Sequence, residues 1–167
     1  MITLRRATPD DRETLERWDR DPDVRASDPD DWWQWETELE RSAPGVEMLI
    51  AELGGRPIGF LQIIDPAREE THYWGDVAEN LRAVDIWIGE PADRGKGYGS
   101  AMMHRALERC FADPAVAAVL IDPLASNVRA HRFYERLGFR FVERRTFGDD
   151  DCFVYRLERT AYRGAAA

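Results

Sequence analysis

The chain has 167 residues, 44% apolar and 33% charged, a composition that fits one soluble globular domain and argues against a disordered chain or a pair of domains. Lys and Arg number 23 against 32 Asp and Glu, a net charge of −9; this lacks the basic surface of a nucleic-acid binder and suits a cationic partner. No apolar run approaches the ~20 residues of a membrane span, no secretory signal opens the chain, and the expected compartment is the cytoplasm.

Residues 2–6 alternate and predict a first strand. Thr8-Pro9-Asp10-Asp11 predicts a helix start, with proline at the first helical position and acids in the first turn, and the helix runs to residue 19. Asp21-Pro22 breaks it. Asp28-Pro29-Asp30-Asp31 starts a second helix to residue 41. Trp32, Trp33 and Trp35 crowd its start; three indoles do not fit one core stripe, so at least one faces a surface or a pocket.

Residues 46–53 and 56–64 predict two strands joined by the Gly54-Gly55 turn. Residues 65–81 are irregular and polar, and a loop of this length inside a compact domain is expected to be functional. Residues 84–88 predict a strand, 97–111 an amphipathic helix with Met102, Met103, Ala106, Leu107, Cys110 and Phe111 on one stripe, 117–122 a strand and 127–137 a helix. Residues 139–145 and 152–157 predict a final hairpin around Gly148-Asp149-Asp150, followed by a frayed tail over residues 160–167. The expected architecture is an α/β (α+β) domain with a mixed sheet.

Cys110 and Cys152 make neither a metal cluster nor a disulfide framework, and Cys110 belongs to the core. His72, His104 and His131 lack metal-binding HExxH spacing; no metal is expected, and His131 is expected to face solvent. The turn Arg94-Gly95-Lys96-Gly97-Tyr98-Gly99-Ser100 lies between a strand and a helix. Its glycines let the backbone bend closely, and the helix start offers unpaired N–H groups to an anion. Neither the dinucleotide-binding pattern nor a P-loop fits it.

Arg94-Gly95-Lys96-Gly97-Tyr98-Gly99 matches the R/Q-x-x-G-x-G/A signature of the GCN5-related N-acetyltransferases (GNAT), and Ser126-Asn127-Val128-Arg129-Ala130 with Phe133-Tyr134-Glu135-Arg136-Leu137-Gly138-Phe139 is similar to the family's distal block. Within the family the chain resembles the aminoglycoside 6′-N-acetyltransferases, through Pro57-Ile58-Gly59-Phe60-Leu61-Gln62, Tyr73-Trp74, Arg82-Ala83-Val84-Asp85, Asp122-Pro123 and the acidic hairpin before Val154-Tyr155. The resemblance implies the GNAT fold, a central mixed and mostly antiparallel sheet flanked by helices, in a single domain over residues 1–167.

It also implies acetyl-coenzyme A as donor, held by Trp87, Ile88, Arg94, Gly95, Lys96, Gly97, Tyr98, Gly99, Ser100, Asn127 and Tyr134. Asn127 also suits an N-cap. In Val84-Asp85-Ile86-Trp87-Ile88, alternation puts Asp85 and Trp87 on one face. An acid is costly to bury unpaired in such a strand, and the resemblance sets Asp85 beside the acceptor amine, as base or as ammonium anchor. Tyr134, seven residues after Asn127 and on the same helix face, is the expected acid for the departing thiolate. Asp122, Asp150 and Glu79 complete an acidic cleft with Asp85, and Tyr73 and Trp74 stack on sugar rings or cations. The expected partner is a small cationic amine, preferably an aminoglycoside at its 6′-amine. A protein N-terminus, a polyamine or a metabolite amine is the alternative acceptor, and a non-catalytic acyl-coenzyme A sensor the alternative of another class.

Overall fold

A computed structural model describes residues 1–29 and 33–164. Seven strands form one sheet: β1 (Ile2–Arg6), β2 (Val46–Leu53), β3 (Arg56–Ile64), β4 (Leu81–Ile88), β5 (Ala118–Ile121), β6 (Arg140–Phe147) and β7 (Asp150–Glu158). Their order is β1-β2-β3-β4-β5-β7-β6. Every neighbouring pair is antiparallel except β4 and β5, which run parallel. This is the mixed, mostly antiparallel sheet that the sequence predicts.

The parallel pair needs a long crossover, which α4 (Tyr98–Phe111) supplies. Its apolar stripe repeats every three to four residues, so Met102, Met103, Ala106, Leu107 and Cys110 all reach the core. They cover Leu49, Ala51, Leu61 and Val84 on one sheet face, which α5 (Val128–Arg136) extends with Tyr134. Fully burying one such side chain contributes roughly 1.5–3 kcal/mol. The opposite face alternates with the first: Ile50 and Phe60 pack under Leu15, Trp18, Trp35 and Leu39, and Leu81, Ala83, Ala118 and Leu120 under Trp74 and Phe147.

The N-terminal third departs from expectation. Thr8 does start a helical segment: its backbone N–H donates to Asp11 at 2.8 Å, a short 3-10 turn covers Pro9–Asp11, and α1 (Arg12–Asp19) follows. Asp21-Pro22 does not end the helical region. Asp21 caps an extra helix, α2 (Pro22–Ser27), its carboxylate accepting from the N–H groups of Asp23 and Val24. The predicted second helix is shorter than expected and starts later, as α3 (Trp35–Glu40). Asp28 closes α2 instead of starting that helix; Asp30, Asp31 and Trp32 lie outside the described residues, as do residues 165–167. The start of the tail expected to fray is ordered, with a 3-10 turn over Arg159–Ala161 and Tyr162 stacked on Phe111.

At its far end the sheet comes apart. Only Leu81, Arg82 and Ala83 pair with Ala118, Val119 and Leu120, whereas β4 continues five residues further to Ile88. The two strands part there, and the gap between them is the floor of a cleft.

Candidate active site

The cleft has a volume of about 1140 Å³ and is bounded by Val84–Ile88, the segment after β5, the first turn of α4, the inner face of α5, and the edges of α2 and the 65–80 loop. Alternation along β4 sends Val84, Ile86 and Ile88 into the α4 core and leaves Asp85 and Trp87 on the other face. Asp85 stands opposite Gln62 of β3. Gln62 Oε1 and Trp87 Nε1 are buried beside the cleft without hydrogen-bond partners among the described residues, an acceptor and a donor on the same sheet face. Such atoms are costly unless a ligand or water satisfies them.

The loop between β3 and β4 is anchored by Glu69. This buried carboxylate accepts from Thr71 N at 3.0 Å, Thr71 Oγ1 at 2.8 Å and Tyr73 N at 2.8 Å. Burial alone pushes the Glu69 carboxyl up, but those bonds hold it below its usual range. Tyr73 is thereby set on the rim, half exposed, with its ring stacked on Phe147 at 4.7 Å and its hydroxyl donating to Asp122 at 2.5 Å. Burial pushes the Asp122 carboxyl up to about 6; the Tyr73 bond and Arg145 oppose this rise and Asp150 adds to it.

Two expectations need correction here. Trp74, expected as a stacking platform, does border the cleft but is only 3% exposed and packs edge-on to Phe147, so little of its ring is open to a ligand. Glu79 is exposed and does not border the cleft. Asp122 and Asp150 do border it.

At the other end, Gly95 and Gly97 have φ of +73° and +82°, the left-handed region, and a β carbon at either would meet nothing within 4 Å. The turn therefore opens onto free space, and the N–H groups of Tyr98, Gly99 and Ser100 in the first turn of α4 have no intrahelical acceptor. Convergent donors at a helix N-terminus suit a pyrophosphate. Gly95, Gly97, Gly99 and Ser100 line the cleft, whereas the side chains of Lys96 and Tyr98 do not: Lys96 is exposed and Tyr98 packs against the core. The Arg94 guanidinium turns toward α2, donating to Asp21 at 2.9 Å and Asp23 at 2.8 Å.

Asn127 caps α5, its Oδ1 accepting from Ala130 N at 3.1 Å, and it borders the cleft with Tyr134 two helical turns on. Tyr134 is buried against Phe133 and Phe139. Burial, then the charges of Asp85 and Asp122, push its phenol well above the ordinary value, so it holds its proton at neutral pH. His131 does not face solvent as expected. It is buried, stacked on Phe153 at 4.6 Å, with Nε2 2.9 Å from the Leu124 carbonyl, and so pins the segment joining Asp122 to Asn127. Cys110 is in the core, and burial pushes its thiol up to about 12.

Trp33 meets the expectation that one indole of its cluster faces a pocket, whereas Gln62, Asp149 and Arg129, which also border the cleft, have no site role assigned from sequence. Gln62 carried a usable signal, as a polar residue inside an otherwise apolar strand. The lining holds the acids Asp23, Asp28, Glu38, Glu69, Glu70, Asp85, Asp122, Asp149 and Asp150 against Arg41, Arg94, Arg129 and Arg136. Of these arginines, Arg41 pairs with Glu70 and Arg94 with Asp21 and Asp23, so the end of the cleft away from the glycine turn is negative.

Comparison with known proteins agrees with this architecture. Aminoglycoside N(6')-acetyltransferase type 1 of Klebsiella pneumoniae is 34% identical over 91 residues, which are 54% of this chain and 45% of that protein. This chain therefore matches less than half the length of that relative. The kanamycin resistance protein of Rhizobium radiobacter is 33% identical over 72 residues, 42% of this chain and 67% of that one. The crystal structure of aminoglycoside acetyltransferase AAC(6')-Ib with coenzyme A and kanamycin superposes with a TM-score of 0.86 at 26% identity, over 96% of both chains. Spermidine N-acetyltransferase from Vibrio cholerae, at 15% identity and a TM-score of 0.76 over 96% of this chain and 97% of that one, shares the fold. The profile of the acetyltransferase (GNAT) domain matches residues 7–147, and with that match added to the split sheet and the glycine turn, the chain belongs to the GNAT acetyltransferase family.

Proposed function

We propose that the protein is an N-acetyltransferase that takes acetyl from acetyl-coenzyme A and places it on a primary amine, preferably the 6′-amine of an aminoglycoside, and that it works in the cytoplasm. The observation that carries this reading is one continuous cleft with an anion-binding turn at one end, acids at the other, and Asp85 and Tyr134 on its walls between them. The likeness to AAC(6')-Ib bound to coenzyme A and kanamycin supports the choice of both ligands. Cys110 and Cys152 are both free thiols, which suits a reducing compartment.

Acetyl-coenzyme A, when bound, supplies a thioester whose acetyl group moves and whose sulfur leaves. The backbone amides of the Gly95–Ser100 turn would hold its pyrophosphate and Asn127 its pantetheine arm. Asp85 draws the acceptor ammonium to the middle of the cleft and takes up the first of the two protons that it must lose; the second, lost once nitrogen has bonded to the carbonyl carbon, restores the Tyr134 phenol. An ordinary Asp is a weak base for an ammonium whose pKa is several units higher, so orientation and electrostatic attraction carry most of its effect. Tyr134 gives its phenolic proton to the departing sulfur. Its raised pKa opposes this, but a cationic acceptor offsets Asp85 and Asp122, two of the three causes of that rise, and so brings the phenol back toward its ordinary value.

A thiol-release assay at fixed acetyl-coenzyme A, run across kanamycin, tobramycin, spermidine and a peptide N-terminus, tests the reading. The expected result is preferred turnover of the aminoglycosides, with KM rising as salt is added, because screening weakens attraction to an acidic cleft. Turnover confined to the peptide moves the substrate to a protein N-terminus. Coenzyme A binding without turnover of any amine makes the protein a sensor.

A further inference from the structure

We propose that the Arg94 side chain is a positioning residue that couples the cofactor turn to the acceptor wall, so that coenzyme A binding orders α2. The proposal rests on the reading of Gly95–Ser100 as the coenzyme A turn.

The signature arginine of this turn is not aimed at the anion site. Its Nη1 donates to Asp23 Oδ2 at 2.8 Å, and its Nη2 donates to Asp21 Oδ1 at 2.9 Å and to the Ile88 carbonyl at 3.2 Å. One planar group thus joins the last residue of β4, the first residue of the turn and the cap of α2. A guanidinium suits this three-way contact because its donors are held in a fixed fork. Two residues beyond β4, Glu90 accepts from Trp18 Nε1 at 2.9 Å and from Arg17 Nη2 at 2.5 Å, which ties α1 to the same short stretch.

Six residues are too few for a helix to hold itself together. Only Val24 of α2 is buried, yet α2 and the residue that closes it put Asp23, Val24, Ser27 and Asp28 on the cleft wall. The order of α2 therefore depends on its anchors, and the anchor at its start is Arg94. An anion bound on the amides of Gly95–Ser100 restricts the backbone that carries Arg94 and stabilises the conformation in which α2 is held. By linkage, an acceptor that contacts α2 then raises coenzyme A affinity by the same factor by which coenzyme A raises acceptor affinity.

Amide hydrogen exchange of a peptide spanning residues 20–28, with and without coenzyme A, tests the coupling, and calorimetry gives coenzyme A affinity separately. In the wild-type protein coenzyme A should slow exchange across α2 by about 5-fold or more, the low end of typical couplings. In Arg94→Gln the segment should exchange faster and no longer respond to coenzyme A, whose affinity should remain within about 5-fold of wild type on the same scale. The double variant Asp21→Asn, Asp23→Asn should behave alike. Asn still caps a helix, so this variant carries the test if Arg94→Gln does not fold. In both, acceptor KM should rise while coenzyme A KM does not. An Arg94→Gln protein that loses coenzyme A affinity but keeps coenzyme A-dependent protection of α2 would assign the guanidinium to the phosphates and overturn the coupling. Equal protection in wild type and variants would do the same. Wild-type protein that binds no coenzyme A would overturn the cofactor reading itself, and with it the proposal.

Discussion

The Tyr73 hydroxyl donates to Asp122 Oδ2 across 2.5 Å and joins the long loop before β4 to the end of β5. Two residues 49 positions apart thus close one side of the cleft, and on the proposed reading a cationic acceptor passes this pair.

Its pH dependence follows from burial. The Asp122 carboxyl is pushed up to about 6, above its value in an unfolded chain. A raised acid favours the folded state below the unfolded pKa and loses that contribution as pH rises through about 6. The same ionisation supplies the negative charge that attracts an amine. Acceptor KM should therefore rise as pH falls from 8 through 6, with coenzyme A KM flat. Asp122→Asn should raise acceptor KM at pH 8, abolish that limb, and leave the melting temperature at pH 8 unchanged or higher. Steady-state kinetics and thermal scans at four pH values check all three.

Tyr134→Phe keeps the buried ring between Phe133 and Phe139 and removes only the hydroxyl. A positioned acid is worth about 10²–10⁴-fold, and kcat should fall by that much. Coenzyme A affinity by calorimetry should be near native. Full kcat in the variant would mean that water or the substrate protonates the sulfur.

Gly97 separates charge from backbone strain. At φ of +82°, Asn and Asp are the side chains best able to replace glycine. Gly97→Asn should weaken coenzyme A modestly. Gly97→Asp puts a negative charge against the pyrophosphate and should weaken it at least about tenfold more, a difference of ~1.4 kcal/mol, with similar circular dichroism for both. Equal affinities would remove the anion from this turn.

Gly89 is a packing constraint. A β carbon there would lie 2.0 Å from Trp18 Cδ2, and Trp18 is 1% exposed with no room to retreat. Gly89→Ala should destabilise the fold by about 1–3 kcal/mol or more, the usual cost of overpacking. Urea denaturation should show a lower midpoint at unchanged slope.

Strands and long helices were legible because their residues answer to local periodicity. The stripe of α4 and the alternation of β4 needed no tertiary information, and Asp85 stood out as an acid between apolar neighbours. The misreadings came where a partner far along the chain decides. Asp21-Pro22 and Thr8-Pro9 both pair a capping side chain with a proline at the first helical position, yet only the second was read as a helix start. Both also carry an acid in the first turn, so the local signal is shared; what holds α2 in place is Arg94, 73 residues away. His131 is polar and was assigned to solvent, but Phe153 and the Leu124 carbonyl satisfy both its ring and its nitrogen inside. Tyr73 and Trp74 are adjacent, equally aromatic and both border the cleft; the Glu69 bond to the Tyr73 N–H and the Phe147 ring set which is half exposed and which is buried. Glu79 carries the right charge in the right loop but lies away from the cleft.

The three residue pairs between β4 and β5 are also the narrowest bridge in the sheet, since β1 to β4 and β5 to β7 are each laced by longer ladders. Pulled apart at right angles to its strands, the molecule would tear along this line, which is also the cleft floor. A ligand gripped by β4 on one side and α5 on the other therefore works as a stitch across it, and the bound protein should resist mechanical extension better than the free one.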